Sequence, residues 1–287
     1  MKKTIYFILT ILLLTTNYSC QEVVDIDLET AQERLVIEAM INWKKGTAGN
    51  EQNIKLSKTS SYYNNQILMA TGASVKLTNK STLESFDFIE GENGIYSTTT
   101  FIPILNDIYA LEITYDGEVY KAEETLFEAP IIESVEQSED GVSPPGGGPP
   151  EANISSVIVN FQDFIDQEDF YRITFQHYRP STNELIETEK NTYDSRFEQN
   201  NLLTDFYASD EIEIDDVFNI SVQKISKQFF TFITVLEAQS EGRNGPFSTP
   251  PVNVKGNCIN TSNEAHYPYG YFGLTEASTA NYTFVEN

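Results

Sequence analysis

The sequence predicts a mostly-β protein: two immunoglobulin-like or transthyretin-like β-sandwich domains, with one α-helix late in the second. Three observations carry that expectation. Short runs rich in Val, Ile, Thr, Tyr and Phe alternate apolar with polar residues, the period of half-buried strands. Turn residues separate these runs at short and regular intervals, as between the strands of a sandwich. A single stretch, beginning at Ser226, changes to the period of a helix. Hydrophobic residues make up 40% of the 287, and 16 Tyr and 18 Phe supply bulk for a core. The chain is therefore expected to fold despite its formal charge of −25.

The chain opens with an export signal spanning residues 1–19. Lys2 and Lys3 form a charged start, Ile5 to Leu14 an apolar run, and a polar stretch ends at Asn17-Tyr18-Ser19-Cys20. The apolar run is shorter than the ~20 residues a spanning helix needs, and no later stretch approaches that length. A small residue followed by Cys at the end of such a run resembles the lipobox of bacterial lipoproteins, although Asn17 stands where Leu is common. That resemblance implies that Cys20 is lipidated and becomes the mature N-terminus. The alternative is an ordinary signal peptide followed by an incidental Cys. With Cys20 lipidated, Cys258 has no partner for a disulfide. Several acyl chains on Cys20 would hold the protein on a membrane without help. Loss of Lys2 and Lys3 leaves 16 basic against 43 acidic residues, a charge of −27, so anionic headgroups would repel the folded body. The same charge makes nucleic acid a poor partner.

Residues 20–33 read as a lipidated, acidic tether, and 34–129 as the N-terminal sandwich. Its strands are expected at Leu35–Trp43, Asn53–Tyr63, Gly72–Lys80, Ser85–Glu90 and Gly94–Phe101, followed by a hairpin over Ile108–Leu126. Asp116-Gly117 between two alternating runs is a strong two-residue turn signal. Ala129-Pro130 marks the expected boundary, and 130–287 forms the second domain. Strands flank a Pro/Gly loop at 143–150, within a stretch (138–151) of four Pro and four Gly. Phe170–Pro180 and Glu184–Tyr193 pair as a hairpin about Ser181-Thr182-Asn183, and Phe218–Ile225 is a further strand. The helix near 226–240 starts at Ser226 as N-cap, places Phe229, Ile233 and Leu236 on one face, and stops at Gly242. The remainder returns to strands and turns.

Residue patterns that carry chemistry are sparse. There is no HExxH, GxSxG, GxxxxGK[ST] or GxGxxG. His177 is expected half-exposed on a strand. Cys258 and His266 fall short of the four ligands of a structural zinc site. Ser221 and Lys224 match SxxK, but on a strand they face opposite sides. Asp210, Glu211, Glu213, Asp215 and Asp216 form the densest acidic cluster without the ordered spacing of a calcium loop, and a solvated edge or turn is expected there. Asp25, Asp27 and Glu29 read as a charged leader. No catalytic residue, metal or cofactor is expected, and a hydrolase using paired carboxylates would need a cleft that sequence does not show. Tyr62, Tyr63, Tyr267, Tyr269, Tyr271 and Phe272 are candidate interaction aromatics, because exposed rings give contact area at low entropy cost. The alternative is that such rings fill a core.

SCQEVVDIDLETAQERLVIEAMI, GASVKLTN with GENGIYS, the YALEITYDGEVYKAEETL hairpin, DFYRITF, LEAQSEGRNGPFSTPPVNVKGN and YGYFGL occur in this order along the chain. Together they resemble the Bacteroidota lipoproteins known as the domain of unknown function 4249 family. The SPPGGGPP loop and NCINTSNEAHYPYG depart from it by expansion. GASVKLTN with GENGIYS is also similar to the carboxypeptidase-regulatory type of sandwich. The family resemblance implies no enzymatic activity. It implies an outer-membrane lipoprotein at the cell surface, an accessory to a β-barrel that is either a TonB-dependent receptor or the assembly machinery. A stand-alone lipoprotein that captures a nutrient such as a glycan, peptide or metal complex is the second expectation.

Overall fold

The computed structural model describes residues 32–60, 66–139, 154–164, 168–197, 201–241 and 253–286. The leader, Cys20, the tether through residue 31, Tyr62, Tyr63, the 143–150 loop and Gly242 lie outside them. In the first half run β1 (Leu35–Lys44), β2 (Gln52–Lys58), β3 (Leu68–Met69), β4 (Ser74–Asn79), β5 (Ser85–Glu90), β6 (Ile95–Thr98), β7 (Ile108–Tyr115) and β8 (Glu118–Thr125). There follow β9 (Ile132–Ser138), β10 (Ser155–Gln162), β11 (Phe170–Arg179), β12 (Glu184–Asp194), β13 (Leu202–Ser209) and β14 (Val217–Ile225). Helix α1 (Lys227–Glu241), β15 (Ile259–Asn260) and β16 (Tyr269–Thr283) complete the described chain. The mostly-β expectation with one late helix is borne out. No helix among the described residues is long and apolar enough to cross a membrane.

The principal sheet has the order β12-β11-β14-β16-β1-β2-β6-β5-β4-β7-β8-β15, with β3 added beside β2. Strand β5 turns its corner: Phe86 and Phe88 lie opposite Leu77 and Val75 of β4, whereas Ile89 and Glu90 lie opposite Ser97 and Tyr96 of β6. The two arms enclose an apolar core in which Ile37, Ile41, Ile54 and Leu56 share a cluster with Val75, Leu77, Leu111 and Ile113. Phe101 packs edge-on against Phe86 at 5.2 Å and Tyr109 at 5.3 Å, the geometry that aromatic quadrupoles favour. Asp116 (φ 49°) and Gly117 (φ 77°) turn β7 into β8 as the sequence predicts, because a two-residue hairpin loop of this hand requires positive φ at both positions.

A second sheet, β13-β10-β9, covers one face of β11 and β14. Val157, Val159 and Phe161 meet Ile173, Phe175, Phe218 and Ile220 there in a second core. Apart from Cys258, Phe272 and Leu274, the first core is drawn from Leu35 to Leu126, and the buried residues of the second run from Val157 onward. The last strand contributes to both, with Phe272 and Leu274 in the first and the following Phe284 in the second. β16 runs parallel to β1, from Val36 opposite Tyr269 to Lys44 opposite Ala277, and antiparallel to β14.

Several expectations are corrected. β2 ends at Lys58, since Thr59 and Ser60 leave the ladder. Leu202–Ser209 is a strand that the sequence pattern did not predict. Ser226 does cap the helix, its Oγ accepting from the Phe229 N–H at 3.1 Å. Phe229 and Ile233 are buried, but Leu236 is 49% exposed, so the expected apolar face is covered only over its first two turns.

Candidate functional site

Alternation gives β11 and β14 two faces with different chemistry. The face under β9, β10 and β13 is apolar but holds two ionic groups. His177, expected half-exposed, is wholly buried: its ring stacks on Phe218 at 4.7 Å, and Nε2 lies 2.7 Å from Asp216 Oδ2. Asp216, expected in a solvated cluster, is buried and also accepts from Arg179 Nε and Nη2 and from the Glu213 N–H. Burial pushes the Asp216 carboxyl up, but Arg179, that N–H and His177 outweigh it and hold the carboxyl below its ordinary range. Lys224 Nζ pairs with buried Asp169 at 2.6 Å on the same side. Ser221 faces the other way, so the SxxK pattern brings no two groups together.

On the opposite face Gln176, Asn219, Thr279 and Asn281 are exposed. Helix α1 crosses one end, where Phe229 and Ile233 cluster with Phe170, Ile225 and Tyr271. Beyond the helix lies an open groove of about 910 Å³, within the roughly 300–1,000 Å³ usual for binding sites. Strand register writes two rows across its floor. Gln176, Asn219 and Asn281 lie side by side, and so do Thr174, Ser221 and Thr279. Phe229, Phe232 and Leu236 of α1 form an apolar wall along one side. Where wall meets floor, Arg172 Nη2 donates to Glu237 Oε1 at 2.7 Å, and Arg172 Nη1 has no hydrogen-bond partner among the described residues. At the β1 side, Gln223 donates to Asn42 Oδ1 at 2.9 Å and to Thr275 Oγ1 at 3.0 Å.

The aromatics singled out from sequence do not form one surface. Tyr62 and Tyr63 lie outside the described residues, as does Cys20. Tyr271 (3% exposed) and Phe272 (0%) are core residues, a correction to their reading as surface rings. Gly270 explains it: its φ of +89° lets β16 pass where a side chain would meet the Ile37 carbonyl, so YGYFG is the start of a buried strand. Tyr271 donates to Glu124 Oε2 at 3.3 Å, and burial raises both groups above their ordinary ranges. Tyr267 and Tyr269 are half-buried, edge to face at 5.5 Å. Arg34 stands 4.1 Å from the Tyr267 ring centroid and Lys255 3.8 Å, so cations already engage that ring.

His266 and Cys258 serve separate structural ends. His266 Nε2–H donates to the Glu33 carbonyl at 2.8 Å, and Nδ1 lies 2.7 Å from Glu118 Oε2. Two acceptors favour the imidazolium: the hydrogen bond to the Glu33 carbonyl, and the hydrogen bond to and charge of Glu118, raise the His266 pKa. Cys258 is packed in the first core, where burial pushes its thiol up to about 12. Among the described residues no group of three or more His, Cys, Asp or Glu is arranged to hold a metal ion.

No curated protein matches the chain. Two solved structures titled as cytokine receptor complexes, crystal forms 1A and 2, are similar at 9% and 10% identity, each with a TM-score of 0.24. They cover 88% and 66% of this chain and 97% and 89% of their own. The sequence model of the family described as Domain of unknown function (DUF4249) matches residues 21–281.

Proposed function

We propose, from the premise that the chain belongs to the domain of unknown function 4249 family, that it is a non-catalytic, lipid-anchored outer-membrane protein displayed at the cell surface. In this reading Cys20 is the anchor and the folded body is an accessory subunit of a β-barrel complex, either a TonB-dependent receptor or the assembly machinery. The observation that carries it is the division of labour in the second half. The ionisable groups with catalytic potential, His177, Asp216, Asp169 and Lys224, are engaged inside the sandwich, while the large open face offers neutral binding groups. That arrangement suits contact and not bond-breaking. The groove itself favours a second reading, a lipoprotein that captures a ligand without a barrel partner.

A tagged full-length protein recovered from native membranes in mild detergent is expected to bring down one large β-barrel chain in stoichiometric amount, identified by mass. Reproducible recovery of this chain alone overturns the accessory role and leaves ligand capture. The anchor is tested separately: Cys20→Ala is expected to release the protein to an alkaline wash, whereas the unchanged protein requires detergent. Detergent-dependent association of Cys20→Ala removes the lipid anchor from the reading.

A further inference from the structure

We infer that the groove beside α1 binds a neutral oligosaccharide chain, laid across the two polar rows with its apolar ring faces toward the helix. This rests on the reading of the groove as a binding surface and is independent of any barrel partner. Four observations converge on the ligand class.

The first is charge. In a chain with 43 acidic and 18 basic residues, the two rows Gln176-Asn219-Asn281 and Thr174-Ser221-Thr279 carry no charge at all. Of the charged groups bordering them, Arg172 is paired with Glu237, and Glu38 with Lys55 at 2.7 Å. Lys44 and Lys190 stand exposed at the rim. An uncharged floor on so acidic a body complements an uncharged ligand, since a charge laid on the rows themselves would lose its hydration without gaining a partner there, and Lys44 and Lys190 meet an anionic group only at the rim.

The second is hydrogen-bonding capacity. None of those six side chains bonds another described side chain, so each still offers both a donor and an acceptor. Cross-strand neighbours repeat at about 4.8 Å. A sugar hydroxyl also donates and accepts, so adjacent hydroxyls on one ring can be met pairwise along a row. Arg172 beside Glu237 extends the pattern with a donor next to an acceptor.

The third observation excludes a peptide strand. β11, β14 and β16 each have neighbours on both sides, so a strand cannot add over the floor; the free edge on this side of the sheet is β12, which reaches the groove only at Lys190 on its rim. The polar floor is equally unsuited to the apolar face of a helix. Recognition there has to come from side chains alone.

The fourth is the wall. Phe232 and Leu236 present apolar surface at the side of the polar rows, backed by the buried Phe229 ring stacked on Phe232. Pyranose rings have the same division, apolar C–H faces and polar hydroxyl edges, so floor and wall match one ligand in two directions.

The test uses full-length protein in an amine-oxide detergent, because glucoside and maltoside detergents would compete. Binding is screened on a broad array of neutral and acidic glycans together with Ser/Asn-rich hexapeptides, and hits are measured by calorimetry. The expected result is binding of one or more neutral oligosaccharides. The triple substitution of exposed Gln176, Asn219 and Thr279 to Ala should weaken it at least tenfold, and Phe232→Ala should weaken it independently. Unchanged thermal unfolding of the triple variant excludes misfolding as the cause. Groove-dependent binding of peptides only would overturn the carbohydrate class, and of acidic glycans only would overturn the neutral ligand; either overturns the inference as stated while keeping the binding surface. Binding of nothing on the array, or binding indifferent to both variants, overturns the inference, and the barrel pull-down stands or falls apart from it.

Discussion

The two faces of β11 and β14 share one backbone and one set of ladder hydrogen bonds, yet they have opposite fates. Inward, Tyr171, Ile173, Phe175, Phe218, Ile220 and Val222 are buried to the last few per cent under the second sheet. Outward, the intervening Thr174, Asn219 and Ser221 line the groove with an amide and hydroxyls, and Arg172 is held in an ion pair with Glu237. The difference teaches that a residue's place in the alternation, and not its strand, decides whether it holds the fold or meets the surroundings. The inward face also contains the ionic groups. A buried charge tolerates the apolar interior only with partners in place, so the His177-Asp216-Arg179 cluster and the Asp169-Lys224 pair are constraints on how the sheets meet.

The largest expected effect breaks the inward side. Asp216→Ala leaves the buried His177 ring without its acceptor and Arg179 without its carboxylate, and should cost about 3–5 kcal/mol in denaturant unfolding. Phe175→Ala, a cavity in the same core, should cost a similar ~3–5 kcal/mol. A loss below about 1 kcal/mol for Asp216→Ala would show that the cluster does not constrain the sandwich.

The contrast also explains what sequence reveals. First-half strands are legible because inward positions such as Ile37, Ala39 and Ile41, or Tyr109, Leu111 and Ile113, are uniformly apolar. Leu202–Ser209 is hidden because Asp205 occupies an inward position between Leu203 and Tyr207 and interrupts the alternation. His177 and Asp216 are 39 residues apart, so only the turn that ends before β14 brings them together. Gly270 imitates a loop signal in YPYGY while permitting a buried strand. The groove is least legible: its rows are built from three strands, and each contributes residues that read singly as ordinary solvent-facing positions.

An intermediate effect tests Asp205, the charge at the edge of the inward face. It accepts from Asn191 Nδ2 at 3.1 Å, linking β13 to β12, and burial pushes its pKa up to about 6. An unfolded Asp titrates near 3.9, so the folded state binds this proton more readily. The associated cost is absent below about pH 4, grows as pH rises through that window, and is complete above about 6. Asp205→Asn is therefore expected to stabilise the protein by roughly 1–2 kcal/mol at pH 7 and to leave it unchanged near pH 3.5. Equal effects at both pH values would assign the change to packing instead of charge.

The smallest expected effect sharpens the comparison most. Asn219 lies directly between Phe218 and Ile220, both fully buried, but points to the groove. Asn219→Ala removes an amide that bonds no described side chain and opens no cavity, so stability should shift by no more than about 0.5 kcal/mol. Phe218→Ala, one residue away and facing inward, should cost about 3–5 kcal/mol. Thermal and denaturant unfolding of the two variants side by side measure the asymmetry of a single strand. If Asn219→Ala proves as damaging as Phe218→Ala, the outward face is part of the stabilising structure and its polar rows are not free to meet a ligand. A near-silent Asn219→Ala in stability, joined to weakened binding in the groove variants, separates the recognising face from the supporting one at adjacent residues.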